Sequence, residues 1–286
     1  MVVYKDWGKH LRLGNFLFVY YSLLDIAKVT GHELVLPDWY MWQYMLHPPK
    51  IDTGIQEDEL FPFRTYDYSR EEKDWLYNYF AERKDKVINI NLGSNNQSEL
   101  WFQDQEPYIK EMCAFKAEVI QQVKDKYSQV FTKPTIGIGI RRGDFVGHGV
   151  FYQIPEGWYE RALTTCFPDW ESYNIVIFSD DIDWCKQYFT GKPYLYAEPN
   201  GTHTHADNFK HYHNDPMEQF ILGSLLDNFI GGSSTFTWWQ MWYVSRVNGG
   251  TVVHSGKNLS DAGEREFGVN PNYYPADWIC YHVNNL

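Results

Sequence analysis

From Lys133-Pro134 onward the chain alternates short apolar runs with helical stretches, and that alternation leaves few folds open. TIGIGI (135–140), YNIVIF (173–178), FIGG (229–232) and TVVHS (251–255) read as strands of continuous apolar character, the mark of a sheet covered on both faces. PEGWYERALTTCF (155–167), IDWCKQYF (182–189) and PMEQFILGSLLDNF (216–229) read as the helices between them, and a further helix follows the Gly-Ser turn after residue 231. Strands separated by helices pair in parallel, so the fold class is α/β, a doubly wound sheet with ligands at the carboxyl ends of its strands.

The first half carries the same grammar less clearly. In LGNFLFVYYSLLDIAKVTG the apolar residues Phe16, Leu17, Tyr20, Leu23, Leu24 and Ala27 recur at helical spacing, and Gly31 closes the helix. HELVLP follows as a strand ended by Pro37, and VININLG (87–93) reads as another. Residues 38–75 show no period and are expected to be loops and short helices, while 106–131 is helical with an interruption. The change of register at 132–134 predicts two halves, 1–132 and 133–286.

The formal net charge of −12 disfavours nucleic acid or an anionic membrane as partner, so a phosphate ligand needs a local concentration of cations. No run approaches the ~18 apolar residues of a membrane span. MVVYKDWGKHLRLGN has no apolar secretion core, so a cytoplasmic location is expected. Cys113, Cys166, Cys185 and Cys280 form no CxxC pair and fit reduced thiols. The 12 Trp and 22 Tyr suit a carbohydrate-handling cleft, and equally a core that needs large rings with a polar handle.

Arg141-Arg142-Gly143-Asp144 directly follows the strand IGIGI. Two guanidinium forks at a strand end suit bidentate diphosphate binding, with Asp144 locking one while the other faces the ligand; the plain alternative is a surface turn with ordinary ion pairs. Gly231-Gly232-Ser233-Ser234-Thr235-Phe236-Thr237-Trp238-Trp239 feeds a hydroxyl-rich turn into a helix and would present N–H groups to an anion, or simply cap that helix. Phe178-Ser179-Asp180-Asp181 ends another strand, where carboxylates could meet a ribose, a base edge or, with Asp183, a metal. His203, His205, Asp207, His211 and His213 have ligand-like spacing, although such a segment is more often solvent-exposed.

These landmarks resemble glycosyltransferase family 11, the α-1,2-fucosyltransferases. The family motif His-x-Arg-Arg-x-Asp is similar to Gly139-Ile140-Arg141-Arg142-Gly143-Asp144, and Asn-Ser-Ser/Thr-Phe-Ser-Trp-Trp to residues 233–239. Its aspartate-containing strand end resembles Phe178-Ser179-Asp180-Asp181, Gly-x-Leu-Gly-Asn-Gln resembles Leu11 to Phe16, and Gln-Ser-Glu-x-Tyr-Phe resembles Gln97 to Phe102. Their order spans residues 11 to 240.

The resemblance implies a GT-B fold, two Rossmann-like halves facing across a cleft, with the acceptor side in 1–132 and the nucleotide-sugar side in 133–286. It implies inverting transfer of fucose from GDP-fucose, as donor substrate, to O2 of a galactose-terminated glycan. No metal is expected, and no other cofactor, because arginines neutralise the leaving GDP. Arg142 and Arg141 are then the expected catalytic clamp, with Asp144, Asp181, Ser234, Thr235, Phe236 and Asn15 completing the donor site. The chain departs from the family at Gly139 (for His), Leu11 (for Gly), Phe16 (for Gln) and Ser233 (for Asn). Other GDP-sugars, a degenerate carbohydrate-binding protein, or a metal-dependent GT-A-type enzyme using Asp181, Asp183 and the His cluster are the alternatives. For the general base His148 is the candidate, in a Gly-rich loop beyond the strand; Glu99 and Asp207 are rivals, and the leaving phosphate could serve instead.

Overall fold

The computed structural model describes residues 1–5, 12–63, 68–92, 96–198 and 216–284. The chain divides into two units, one of Met1–Lys116 with Asn270–Pro275, the other of Ala117–Val269 with Ala276–Leu286. The change of unit thus falls at 116/117, inside the interrupted helical stretch, and not at 132/133. The physical reason is visible in helix α4 (Ala117–Lys126) and the turn after it: Tyr127 donates to Glu218 at 2.6 Å, and Asn174 Nδ2 donates to the carbonyl of Val130 at 2.9 Å. Those partners belong to the second unit.

The first unit holds a five-stranded sheet in the order β3-β2-β1-β5-β4, every pairing parallel. Its strands are β1 (Val2–Val3), β2 (Leu34–Leu36), β3 (Lys50–Ile51), β4 (Glu59–Phe63) and β5 (Ile88–Leu92). Two of them, β3 and β4, lie within residues 38–75, where the sequence pattern predicts loops and short helices. Their brevity and the Pro in ELFPF hid them, and Pro is tolerated because β4 is an edge strand. Helix α1 (Leu13–Thr30) is buried nearly all round rather than along one stripe, and it ends on Gly31 in the left-handed conformation. Ser69 caps α2 (Arg70–Ala81) by accepting from the Glu72 amide, and α3 (Glu106–Met112) precedes the change of unit.

The second unit holds six parallel strands in the order β11-β10-β9-β6-β7-β8. They are β6 (Thr135–Ile140), β7 (Asn174–Ser179), β8 (Tyr194–Tyr196), β9 (Asn228–Gly231), β10 (Val252–His254) and β11 (Ile279–Cys280). Chain order runs outward from β6 to β8 on one side and from β9 to β11 on the other. The reversal between β6 and β9 opens the crevice in which such sheets bind ligands. Ile136, Ile138 and Ile140 of β6 pack with Trp158, Ala162 and Leu163 of α5 (Glu156–Cys166) in the core. Helices α6 (Ile182–Tyr188), α7 (Met217–Ser224) and α8 (Thr235–Trp242) follow, and α9 (Asp261–Phe267) and β11 extend the unit beyond the last expected strand. No disulfide joins the four cysteines. Among the described residues, no helix is long and apolar enough to cross a membrane.

Candidate active site at the β6–β9 strand ends

Register fixes what meets at the crevice. Gly139 of β6 lies opposite Phe178 of β7 and Gly231 of β9, so the two arginines, the Asp180-Asp181 pair and the Gly-Ser turn all leave the sheet at one level. After Ile140 the chain turns sharply, the amides of Phe145 and Val146 both donating to the Arg142 carbonyl at 2.8 Å.

The two guanidinium groups are held differently. Arg141 donates through Nε (3.0 Å) and Nη2 (2.5 Å) to Asp144 Oδ1, and its Nη1 stands 2.9 Å from Asp180 Oδ2. It lines a pocket with Gly139, Phe145, Tyr152, Ile154, Tyr159, Gly232, Ser233 and Ser234. Arg142 is not in that lining. Its guanidinium carbon lies 3.5 Å over the Trp184 ring, Nε donates to Asp181 at 3.4 Å and Nη1 to Glu156 at 3.3 Å. Asp144 thus locks one arginine, as expected, and the locked arginine is also the one in the pocket.

The opposite wall is the start of α8. Ser234 occupies the N-cap position and gives the helix no side-chain hydrogen bond; a helix start of this kind turns its first N–H groups outward, where an anion can meet them. Ser233 and Ser234 reach the pocket; Thr235 and Phe236 do not line it, and the Phe236 ring meets Phe220 edge-on at 5.4 Å. Gly139 and Gly231 let α8 approach. A Cβ at Gly139 would stand 2.5 Å from Thr237 Cγ2 and 2.7 Å from its Oγ1, and one at Gly231 would stand 2.5 Å from the same methyl. This accounts for the glycine at the family's His position: here Thr237 fills the space.

Asp181 caps α6, accepting from the Trp184 amide at 3.3 Å, while its other oxygen takes Arg142. His148 is exposed and outside the pocket lining, its ring 4.8 Å from Phe151. Its loop is tied to the 259–260 segment. Phe145 stacks on Phe151 at 4.2 Å, Phe151 bridges to Leu259, the Ser260 amide donates to the Val150 carbonyl at 2.8 Å, and the Ser260 hydroxyl donates to the Gly149 carbonyl. In the first unit Asn15, at the start of α1, accepts from Gln97 Nε2 at 3.0 Å, and Asn270 donates to the Gln97 carbonyl at 3.0 Å. Two of the family-like segments therefore meet there, while Glu99 begins a 3-10 turn beside them. His203, His205, Asp207, His211 and His213 lie outside the described residues. Among the described residues no three His, Cys, Asp or Glu side chains are grouped to hold a metal.

Sequence reasoning missed Tyr152, Ile154, Tyr159, Glu156 and Trp184. The only local signal was aromatic residues following a charged strand end, which a core helix produces just as well.

Each unit is a parallel α/β fold of the kind that GT-B glycosyltransferases contain, the second with an arginine and a helix start at its switch point. The chain belongs to glycosyl transferase family 11, whose family model matches residues 6–282. It is 22% identical over 270 residues to an alpha-1,2-colitosyltransferase of Escherichia coli, covering 84% of this chain and 88% of that one. It is 27% identical over 115 residues to the O-antigen biosynthesis glycosyltransferase WbnK of Escherichia coli, a match that covers 38% of this chain and spans about a third (34%) of that relative's length. A NodZ alpha-1,6-fucosyltransferase soaked with GDP-fucose shares the fold at TM-score 0.52 and 17% identity, covering 86% of this chain and 91% of that one. A mutant of Arabidopsis thaliana FUT1 in complex with GDP does so at TM-score 0.51 and 12% identity, covering 96% and 74%.

Proposed function

We propose that this glycosyltransferase moves fucose from GDP-fucose to a glycan hydroxyl, O2 of a terminal galactose, with inversion at the anomeric carbon. The observation that carries the reading is that Arg141 and the Ser233-Ser234 start of α8, two anion-stabilising features, line one pocket at the sheet's switch point. The diphosphate lies there, Ser233 and Ser234 donate to it, and Phe145, Tyr152 and Tyr159 wall the pocket. The bond from sugar C1 to the β-phosphate oxygen breaks as the acceptor oxygen bonds to C1 from the opposite face. The acceptor proton passes to a base or to the departing phosphate, and Arg141 offsets the charge that GDP gains. With that charge met by an arginine and a helix start, the reaction needs no divalent cation. Asn15 and Gln97 then belong to the acceptor-side unit.

A second donor is favoured by one observation. Gly139 puts no side chain into the pocket, and one relative is named for colitose, so another GDP-linked deoxyhexose is the alternative. A screen of nucleoside-diphosphate release across GDP-fucose, GDP-colitose, GDP-mannose and UDP-sugars, with and without EDTA, separates the cases. Release from GDP-fucose that survives EDTA is expected; release only with UDP-sugars, or only with added Mn²⁺, would overturn the proposal.

A further inference from the structure

Arg142 points away from the pocket and into a set of contacts that no substrate is needed to complete. One face of its guanidinium rests on Trp184, which itself stacks on Tyr188 at 4.9 Å and 10°, one helical turn further along α6. Its edges reach Asp181, the N-cap of α6, and Glu156, the first residue of α5. Its backbone N–H donates to Asp180 Oδ1 at 2.9 Å, and the other oxygen of that carboxylate stands 2.9 Å from Arg141 Nη1. Asp180 is the pivot: one oxygen is fixed by the backbone of residue 142, the other braces the arginine in the pocket. A planar, delocalised cation is suited to such a place, because it stacks and donates in its plane at once; an ammonium group cannot.

We infer that Arg142 is a positioning residue, a planar key that locks the starts of α5 and α6 to the end of β6 and so holds Arg141 on target, and not a second ligand of the diphosphate. This rests on the reading of the Arg141 pocket as the donor site. It also divides between two roles a pair of adjacent arginines that the sequence offers as equals.

The test compares Arg141→Met, Arg142→Met, Arg142→Lys and Trp184→Leu in the full-length protein. It measures calorimetric affinity for GDP, turnover, and amide hydrogen exchange over residues 141–145 and 180–185. Arg141→Met should weaken GDP about 10- to 100-fold, the worth of a charge-assisted hydrogen bond. Arg142→Met should keep GDP affinity within about threefold while turnover falls about tenfold or more, as a displaced but intact group would give. Arg142→Lys should do no better than Met. Trp184→Leu should reproduce the loss, and combining it with Arg142→Met should add little. Exchange over the two segments should rise in the Arg142 and Trp184 variants and stay unchanged in Arg141→Met. GDP weakened equally by both arginine substitutions, turnover restored by Lys, or unchanged exchange in Arg142→Met would each overturn the assignment. A wild-type protein that binds no GDP would sink the proposed function instead, and the exchange data would still decide the role of Arg142.

Discussion

Strands β6, β7 and β9 of the second unit contain no charged residue, and their arginines and carboxylates begin where the strands end. The first unit does the reverse and buries charge among its helices. Lys73 of α2 is 1% exposed, within 3.4 Å of Asp25 in α1 and 3.2 Å of Asp104, and it donates to the Leu100 carbonyl at 3.0 Å. Tyr77 donates to the second oxygen of Asp25. Burial pushes the Asp25 carboxyl above its ordinary range, against the pull of Lys73 and Tyr77. Charge in the second unit is thus kept at the strand ends, with Arg141 lining a pocket where a ligand can reach it. Charge in the first is spent on tying α1 and α2 to the 98–105 segment. Removing charge should therefore cost the first unit stability and the second unit activity.

The largest effect should follow Lys73→Met, which leaves a buried carboxylate without its cation and should destabilise by about 3–5 kcal/mol. Asp25 can relieve that cost by binding a proton, so the loss measured by urea titration should shrink between pH 7 and pH 5. A loss that does not vary with pH would mean that Asp25 is already neutral beside Lys73. Arg141→Ala should cost about 100- to 1000-fold in turnover, the usual worth of one preorganised donor to developing charge, with little change in Tm. An unfolded Arg141→Ala protein would erase the contrast between the units.

His254 sharpens it from the other side, as a titratable group that the second unit does bury. Burial, then the nearby His282, lowers its pKa to about 4, and its Nδ1 accepts from the Gly256 amide at 3.1 Å, a bond open only to the neutral ring. The unfolded chain binds the proton more readily than the folded one. Stability should therefore be complete above pH ~6.5 and fall as pH drops toward ~4, by up to about 3 kcal/mol in total. His254→Asn should flatten that fall in thermal melts between pH 7 and 4. The smallest effect should come from His148→Ala. Its side chain is exposed and lines no pocket, so turnover should stay within about threefold, below the 10²–10⁴ range of a general base. A larger loss that also removes the acidic limb of the pH–rate profile would restore His148 as the base.

The second sheet was legible because each of its central strands is a continuous apolar run that stops at a charge or a glycine. The first was not: β1 and β3 are two residues long, and β4 carries a proline, so nothing periodic marks them. The Arg-Arg pair announced the site, but its division of labour depends on Trp184, 42 positions further on, and on Asp180, which follows the Ser179 paired with Ile140 and accepts from the Arg142 amide. Adjacent residues at a strand end point to opposite sides, and no local pattern says which side holds the ligand. Asp181 carries a role that the sequence does not single out: a carboxylate at a strand end is also the first residue of a βα turn, and here it caps the helix.

The close approach of α8 to the sheet also orders the mutational routes open to this chain. A histidine at 139 would place its Cβ within 2.7 Å of both branches of Thr237, and no rotamer of either residue relieves a Cβ clash on β6 without moving α8. The reverse order is less obstructed, since Thr237→Ala removes both branches and leaves Phe229 Cε1, at 3.1 Å, as the remaining close neighbour of a Cβ at 139. Gly139 and Thr237 are therefore an epistatic pair in which one change is permissive and the other conditional.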